Sequence, residues 1–540
     1  MSVKTPRCSK EVSERWLQEV MKDYLEDSHP GGQHDVTAFT ITPGYGPGDA
    51  FQSELVLLDV WVKVKEGGSP ASQAGSPVLQ DGSPESPDST VVHHLAAKFY
   101  SLDLMNREMN KRMNTGQKEY LVYTKIIKEL NEFQADRASE EPRITIPQLI
   151  YGRCTGNENV LLMENLKIHG YNTFDKRKGL DFEHLKVTIE HIARVHALSH
   201  AFYRENDFRN KYPCFRPTLE YLKTFKPLAS AMLNITIAFF RTLSDKRDVT
   251  QRLEACKQRL LDKYSAILLD GEDIMCLNHG DYWINNIMYK HKSPVAQASH
   301  EDSQTLASHK ATQLSHEDSQ EGHNISQTSH NTSQTLASQQ VSQAHESHQE
   351  IETLKIIDWG TSSWGNPMFD LQYLLYTSTT RAVRNAHLDH LLHLYHSTFT
   401  KLAAKLGSPA ASWSYIQFKL EWERTSVIGF LSGCALTLGT LSTSNPVNKV
   451  PQPSYLDKPF LLPVKVIADG LKLGMAKLLF PLLEKPIGES ISKNMLRHTF
   501  QPILQELLSG QNEIMNKRLT DLICEADEKG IFSTESIIPE

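Results

Sequence analysis

The spacing of apolar positions predicts a mixture of strands and helices in the first part of the chain. Apolar residues at helical intervals between Trp16 and Leu25 predict an N-terminal amphipathic helix. The stretch from Thr37 to Val64 predicts two strands joined by a glycine-rich turn, and His93 to Tyr100 is a short apolar strand that holds one lysine, Lys98. Further predicted elements are a long helix at Asn106–Phe133 and strands at Ile144–Tyr151 and Asn159–Met163.

The rest of the chain has a predominantly helical pattern. A helical period returns from Asp181 to Phe202, and helices dominate from there to the end. The apolar run from Thr425 to Leu441 is too short for a membrane span, which needs about 20 residues, so it is interpreted as a buried helix. These patterns predict an α+β protein, with a β-rich part at residues 1–165 and a helical part at residues 166–540.

Two segments have biased compositions. Residues 66–91 are rich in Gly, Ser and Pro and are predicted to form a flexible loop. Residues 291–350 consist mainly of Ser, His, Gln and Thr, with S-H-E-D-S-Q occurring twice. A segment with so few large apolar side chains cannot bury enough surface to offset the entropy cost of ordering it. This insert is therefore predicted to be disordered. Its histidines lack the fixed spacing that a metal site requires.

Charge and cysteine usage narrow the functional classes. The net charge of -7 among 540 residues argues against a nucleic-acid partner, which requires a basic face. Seven scattered cysteines without a C-x-x-C pair are typical of reduced thiols and favour a cytoplasmic protein. The first ten residues lack the apolar core of a secretory signal, and no membrane span is expected.

The strongest chemical signal is L-N-H-G-D-Y-W-I-N-N-I-M-Y at residues 277–289. Phosphoryl transfer needs a carboxylate for the attacking hydroxyl and oxygen ligands for Mg²⁺. A loop with Asp281 and Asn286 can supply both. A second apolar strand, L-K-I-I-D-W-G at residues 354–360, ends at Asp358, where another Mg²⁺ ligand is expected. Asp370 follows in the first turn of a predicted helix.

These motifs together resemble the aminoglycoside phosphotransferase and choline kinase superfamily. The form H-G-D-Y-W-I-N-N is most similar to the ecdysteroid kinase-like family. Weaker matching features are G-D-A-F-Q-S at 48–53, E-Y-L-V-Y at 119–123, L-L-M-E-N-L at 161–166 and I-A-R-V-H-A at 192–197. The resemblance implies a bilobal protein-kinase-like fold, with a small β-rich N-lobe and a large α-helical C-lobe. It also implies ATP and Mg²⁺ as cofactors.

The resemblance also assigns roles to individual residues. It makes Asp281 the catalytic base, and Asn286 and Asp358 the Mg²⁺ ligands. Lys98, held by Glu119, would bind the α- and β-phosphates. The other nucleotide contacts would be Met163 behind the adenine, the Glu164 carbonyl and Leu166 amide at its edge, and backbone amides from Asp49 to Ser53 over the phosphates. Asp370 would anchor the catalytic loop, with His196 packed beneath it.

Other interpretations of these residues remain open. Taken alone, Asp281 is more typical of a turn, Lys98 of an edge strand and Ser53 of an ordinary loop, and only the order of the motif residues favours the kinase roles of Asp281 and Lys98. Glu119 competes with Glu108 and Glu129 on the same predicted helix. Asp358-Trp359-Gly360 stands where the family commonly has Asp-Phe-Gln, which predicts a looser local backbone.

The expected function is a small-molecule kinase with a neutral, largely apolar acceptor, and three alternative functions compete with it. A pseudokinase would bind a nucleotide or a lipophile without turnover. A protein kinase is disfavoured, because no lysine stands two residues after Asp281 and no A-P-E follows Asp358. A kinase for a choline-like or aminoglycoside-like acceptor would need carboxylates or aromatic cages.

The acceptor is expected to be a hydroxylated small molecule, with a steroid such as an ecdysteroid as the leading candidate. The stretch between Glu423 and Asp457 has no carboxylate and is rich in apolar residues. By resemblance, the helices after the metal-binding Asp form the acceptor pocket. The apolar residues singled out there are Trp422, Ile428, Phe430, Leu431, Leu436, Leu438 and Leu441, although simple core packing explains them equally well.

Overall fold

The computed structural model describes most of the chain. The described residues are 3–26, 33–44, 53–65, 88–100, 104–155, 158–216, 219–269, 274–292, 350–444 and 500–533. The glycine-rich turn with Asp49 and the bodies of both biased segments lie outside these ranges.

A five-stranded antiparallel sheet forms the first part of the fold, in the order β1-β2-β3-β5-β4. Its strands are β1 Gln33–Pro43, β2 Ser53–Lys65, β3 Asp88–Tyr100, β4 Leu149–Thr155 and β5 Glu158–Glu164. Strand β3 begins inside the predicted 66–91 loop, because it pairs with β2 along its whole length, from Asp88 opposite Lys65. Strand β4 begins later than predicted, at Leu149, since Pro147 has no N–H for a sheet ladder.

The N-terminal helix covers this sheet. Helix α1, Glu14–Glu26, buries Trp16, Leu17, Val20 and Met21 against the strands, as its apolar spacing predicts. Gln18 fixes the helix to the edge strand β1: its amide nitrogen donates to His34 O, and its amide oxygen accepts from Val36 N at 2.6 Å.

The predicted single helix at 106–133 is instead a broken series. The segments are α2 Leu104–Met113, α3 Thr115–Leu121, a π-helical turn Val122–Ile126 and α4 Ile127–Ala135. Asn114, with φ of 55°, separates the first two segments, and Asn is one of the few residues that tolerate this left-handed backbone. Glu119 lies on α3, after this break, and is fully buried.

Helices make up most of the later chain. They are α5 Phe182–Asn206, α6 Phe208–Lys211, α7 Leu219–Phe240, α8 Arg247–Leu269, α9 Met368–Ser378, α10 Arg381–Lys405, α11 Tyr415–Arg424, α12 Ser426–Leu441, α13 at 500–509 and α14 Glu513–Glu528. Short strands also lie in this later part, and several of them flank the motif residues: β6 Tyr171–Thr173, β7 Cys276–Asn278, β8 Ile287–His291, β9 Ile351–Ile356 and β10 Ser363–Gly365. This β-rich part followed by a helical part is the α+β arrangement that the sequence predicts; the boundary at residue 165 stays a prediction.

Contacts divide the chain into two units, Met1–Met288 with Leu354–Glu540, and Tyr289–Thr353. Within the second unit, Lys292 N donates to Glu350 O at 2.9 Å, and Lys290 pairs with Glu352 at 3.2 Å. The two ends of the predicted 291–350 insert are therefore hydrogen-bonded to each other. His291 and Glu350 belong to this ordered closure, not to a disordered tract, and residues 293–349 lie outside the described chain.

The apolar run at Thr425–Leu441 is a buried helix, as predicted. Helix α12 packs closely on its neighbours: a Cβ on Gly429 would lie 2.4 Å from the Tyr376 ring, and one on Gly433 would lie 3.1 Å from Leu522. In the part of the chain that is described, no single helix has the length and apolarity to cross a membrane. The pair α11 and α12 meets those criteria together but is bent by 47°. All seven cysteines are free thiols, as expected.

Glu506 on α13 holds the end of α12 in place through hydrogen bonds. Its carboxylate accepts from Ser442 Oγ at 2.6 Å, Ser444 N at 2.9 Å, Thr443 N at 3.1 Å and Asn512 Nδ2 at 2.7 Å. Burial alone would raise the pKa of Glu506, but these bonds to the ionised form outweigh burial and lower the pKa from 4.5 to about 2. The resulting stability is complete above pH 4.5 and is lost as the pH falls toward 2.

Glu506→Gln is therefore expected to destabilise the fold at neutral pH by about 1–3 kcal/mol, because a charged acceptor of several buried donors is lost. The difference in melting temperature from wild type should shrink between pH 4.5 and pH 3, where the wild-type carboxylate loses part of its advantage. Glu423→Gln on α11, an exposed position, is the matched control and should stay within about 0.5 kcal/mol. An equal loss for Glu506→Gln at both pH values would contradict the role of ionisation.

Candidate active site

Three predicted site residues meet in one buried ion cluster. Lys98 Nζ on β3 lies 2.8 Å from both carboxylate oxygens of Glu119 on α3 and 2.7 Å from Asp358 Oδ1 after β9. Tyr100, two residues along the same strand, donates its hydroxyl hydrogen to Glu119. Glu119 is thus the partner of Lys98, whereas Glu129 pairs instead with Lys211 and Tyr212. The side chain of Glu108 lies outside the described residues.

The charges in this cluster are set by burial and by each other. Burial would lower the pKa of Lys98, but Asp358 and Glu119 outweigh burial and raise it, so the amine stays protonated. Burial likewise would raise the pKa of Asp358, but the Lys98 charge outweighs the effect of burial, so the pKa of Asp358 is lowered. Glu119 is the most enclosed of the three, and burial raises its pKa. About half of the Asp358 side chain, 47%, is exposed, which leaves this carboxylate accessible to a ligand.

Asp281 lies in a compact loop between β7 and β8. Its Oδ1 accepts from the Tyr373 hydroxyl at 2.7 Å, and its Oδ2 accepts from Asn286 Nδ2 at 2.9 Å. The same Asn286 nitrogen also reaches the Asp281 backbone carbonyl at 2.9 Å. Burial raises the pKa of Asp281, while the bond from Tyr373 opposes that rise. A carboxylate held by two donors and made more basic by burial is suited to accept a proton from a hydroxyl.

Asp370 at the start of α9 anchors this loop from below. It is fully buried and accepts from the backbone N–H groups of His279 at 2.6 Å and Gly280 at 2.9 Å. His196 on α5 lies 3.3 Å from the same carboxylate and 2.7 Å from the Tyr395 hydroxyl. These contacts confirm the predicted structural roles of Asp370 and His196.

Glycine is required at the turn before Asp281. Gly280 has a φ of 82°, and a Cβ there would lie 2.3 Å from Thr361 O. The Thr361 hydroxyl in turn donates to His279 O at 3.1 Å. The H-G-D motif is therefore packed directly on the segment that follows Asp358.

Asp358 has a left-handed backbone, with φ of 63°, which is unusual for a residue other than glycine. Trp359 beside it is fully buried, its indole N–H donates to Ile356 O at 3.3 Å, and its ring lies 4.8 Å from that of His279. The expectation of a looser backbone at Asp358-Trp359-Gly360 is therefore wrong. The large ring fills the space between the strand end and the catalytic loop and fixes both.

The two predicted metal ligands lie on neighbouring strand ends. Ile357 N, one residue before Asp358, donates to Asn286 O at 3.0 Å. Asn286 uses its amide nitrogen on Asp281, so its amide oxygen is the end that can ligate a cation. Carboxylate and amide oxygens are ligands that Mg²⁺ prefers, and Mg²⁺ usually takes only one or two such groups from the protein. The donor set fits Mg²⁺, although the described residues contain no group of three His, Cys, Asp or Glu side chains placed to hold a metal.

The predicted nucleotide contacts lie along β2, β3 and β5. Met163 is buried opposite Ala96 in the sheet, and Glu164 and Leu166 follow it. The Glu164 side chain pairs with Lys355 and accepts from Gln148 N at 2.9 Å, so only its backbone remains for the predicted adenine contact. Ser53 begins β2 opposite Tyr100, and Asp49 lies outside the described residues. The roles of these five residues stay predictions.

Most of the apolar stretch predicted to form the acceptor pocket is core. Phe430, Leu431, Leu438 and Leu441 of α12 are 0–5% exposed within the helical part. Ile428 alone among the seven residues singled out there lines a described cavity, and that cavity also touches Gly280 and Thr361. The stretch thus has mainly a packing role.

Comparison with protein families matches the ecdysteroid kinase-like family over residues 83–302 and 342–408, more than half of the chain. The matched ranges contain Lys98, Glu119, Asp281, Asn286 and Asp358. The chain belongs to the ecdysteroid kinase-like family. Family membership supports a small-molecule kinase.

Two further comparisons add little to this family assignment. A Plasmodium vivax ethanolamine kinase of known structure is similar over 86% of this chain and 92% of its own, with 11% identity and a TM-score of 0.31. At those values the likeness carries no inference about this ecdysteroid kinase-like chain. No curated protein matches it in sequence.

Tyr373 is the site residue that sequence reasoning missed. It lies on α9 one turn after Phe369, and the two rings stack at 5.9 Å with their planes 21° apart. Its spacing of three residues from Asp370 places it on the loop-facing side of α9, where its hydroxyl reaches Asp281. The three-residue spacing from Asp370 is visible in the sequence, but only the fold shows that this side of α9 faces Asp281.

Tyr373→Phe is expected to raise the pKa of Asp281 further, because it removes a hydrogen bond that favours the ionised carboxylate. The base must be ionised, so the acidic limb of kcat/KM should move to higher pH. The pH dependence of acceptor-dependent ATP consumption measures this shift. Tyr376→Phe, on the same helix but bonded to Lys529, is the matched control and should leave the limb in place. An unmoved limb in Tyr373→Phe would show that Asp281 is not the group that titrates.

Proposed function

We propose that this ecdysteroid kinase-like chain is an ATP-dependent phosphotransferase that acts on an alcohol group of an apolar metabolite. A steroid, such as an ecdysteroid, is the leading acceptor. The observation that carries the proposal is the arrangement around Asp281. A basic, doubly hydrogen-bonded carboxylate lies in the same folded unit as the Lys98–Glu119–Asp358 cluster.

Each part of that arrangement has a distinct task. Lys98 would bind the phosphates of ATP, and Asp358 and Asn286 would hold Mg²⁺. When bound, Mg-ATP supplies the phosphoryl group and neutralises its charge. Asp281 orients the acceptor hydroxyl and accepts its proton, and its raised pKa brings its basicity closer to that of the group it must deprotonate.

A cation such as choline or an aminoglycoside fits the described surroundings poorly. The cavity beside the catalytic loop is lined by no Asp or Glu among the described residues, and its charged members are Lys118 and Arg216. A cationic acceptor would therefore enter a site with charges of its own sign. A protein that binds a nucleotide or a lipophile without turnover remains the main alternative, and the two variants below separate it from a kinase.

Asp281→Asn is expected to lower turnover roughly 10²–10⁴-fold while leaving Mg-ATP binding largely intact, because only the proton acceptor is lost. Asp358→Ala should abolish Mg-dependent ATP binding, because a charged ligand of a hard cation is removed. Calorimetry with and without Mg²⁺ measures binding, and labelled ATP measures turnover. Asp389→Asn, an exposed aspartate on α10, is the control. Mg-ATP binding by wild type without consumption for any hydroxylated metabolite would favour the non-catalytic alternative.

The acceptor class is tested by competition. Ecdysteroids, other hydroxysteroids, choline and an aminoglycoside are offered together with labelled ATP, and the labelled products are separated. Steroids are expected to carry the label, because a cavity with apolar walls selects by shape and buried area. Preferential labelling of choline or the aminoglycoside would refute the apolar acceptor and leave the kinase assignment intact.

A further inference from the structure

A cavity beside the catalytic loop contains a buried, unpaired cation. It encloses about 700 Å³ of empty space, a figure that includes open solvent at its mouth. Most of its apolar wall comes from Leu222 on α7, Ile267 on α8, Trp364 on β10, Phe369 on α9 and Ile428 on α12.

Lys118 on α3 is the unusual member of this wall. The residue is only 8% exposed, and no carboxylate or other acceptor in the described part of the chain pairs with its ammonium group. Burial lowers the pKa of Lys118 to about 8, while Cys214 opposes that shift only weakly. Burial also raises the pKa of the Cys214 thiol, so it is neutral at physiological pH and provides no counter-charge. An ammonium group buried in this way is costly unless a partner arrives.

Arg216 adds a second positive charge to the same cavity. Its guanidinium is positioned by Arg209 O at 3.2 Å and Asn210 Oδ1 at 2.7 Å, and both acceptors are uncharged. With no Asp or Glu among the described lining residues, the cavity has an uncompensated positive charge on otherwise largely apolar walls. Such a lining favours an amphipathic ligand with one acidic group.

The cavity lies next to the reacting groups. Gly280, the neighbour of Asp281, and Thr361, three residues after Asp358, both line it. Phe369 in its wall stacks on Tyr373, whose hydroxyl is bonded to Asp281. A ligand in this cavity therefore lies next to the loop that carries Asp281.

We propose that this cavity binds the phosphoryl acceptor and that the acceptor carries an anionic group, a carboxylate or a sulfate, which pairs with Lys118 and Arg216. The proposal rests on the proposed kinase function and narrows it, from any hydroxylated apolar metabolite to one that is also acidic. Within the proposed steroid class, it favours a steroid that carries an acid group over a neutral one. Lys118 and Arg216 then act in specificity, and Asp281 acts on the hydroxyl.

The test compares acids with their neutral esters on the full chain. Cholic acid and its methyl ester share every hydroxyl and differ in one charge, and ω-hydroxylauric acid with its methyl ester forms a second pair. Binding is measured by calorimetry without ATP, so that it does not depend on turnover. The variants are Lys118→Met, which keeps the bulk without the charge, and Lys125→Met, an exposed lysine on the adjoining π-helical turn, as the matched control.

Wild type and Lys125→Met are expected to bind at least one acid about tenfold or more tighter than its ester, since a charge-assisted bond is worth about that factor. Lys118→Met should lose this preference, bind the ester as before and melt no lower than wild type, because it removes an unpaired buried charge. Failure of both acids to bind, or a preference that survives in Lys118→Met, would overturn the proposal.

Inorganic phosphate alone distinguishes the source of the anion. If phosphate binds through Lys118 and neither acid does, the cavity is a free-anion site and the acceptor proposal is wrong. ATP consumption is measured separately in the presence of each acid. Charge-dependent binding without consumption would count against the kinase function and leave the anion site standing, so the two failures have different signatures.

Discussion

The Lys98 ammonium group joins three elements that lie far apart in the chain. It holds Glu119 from α3 and Asp358 from the end of β9 at ion-pair distance, and it is itself fixed by the pairing of β3 with two neighbouring strands. Because Lys98 and Glu119 are almost fully enclosed, removing the Lys98 charge leaves the Glu119 carboxylate buried and uncompensated, which costs about 3–5 kcal/mol. The position of α3 against the sheet and the direction of the Asp358 backbone therefore depend on this cluster. Because Lys118 precedes Glu119 on the same short helix, the same constraint also orients the wall of the neighbouring cavity.

A second constraint is the support beneath the catalytic loop. Asp370 binds two successive backbone N–H groups of that loop, and α5 adds His196, Ser199 and the carbonyl of Thr188, which accepts from Tyr282. Each of these polar groups has a partner that also limits the loop's geometry. Asp281 can then be buried enough to gain basicity while two donors keep it oriented. Because water is excluded here, the hydrogen bonds beneath the loop hold it rigidly, and the Asp281 carboxylate becomes more basic.

Helix α12 shows that an apolar composition does not by itself identify an acceptor pocket. The absence of carboxylates in α12 is a real property of that helix, but most of its side chains are buried, and the helix packs against α9 and α14. The charge that bears on recognition comes from Lys118 on α3, in a segment where the sequence drew attention only to the neighbouring Glu119. Residues that contact a ligand and residues that pack in the core are of the same types. Only the side of each helix that faces the cavity distinguishes the two.

The sequence by itself determined the order and spacing of the groups proposed for catalysis. Asp281, Asn286, Asp358 and Asp370 stand at short fixed spacings within local turns and strand ends, and such local geometry depends on neighbouring residues. It also determined the alternation of sheet and helix and the burial of α1 and α12, because periodic apolar spacing decides which face of an element is hidden. The tertiary structure alone decided the partner of Lys98, the break at Asn114, the packing of Trp359 and the contact of Tyr373 with the base. Each of these depends on contacts between residues distant in sequence, and no local pattern encodes which of several equivalent side chains will face a given neighbour.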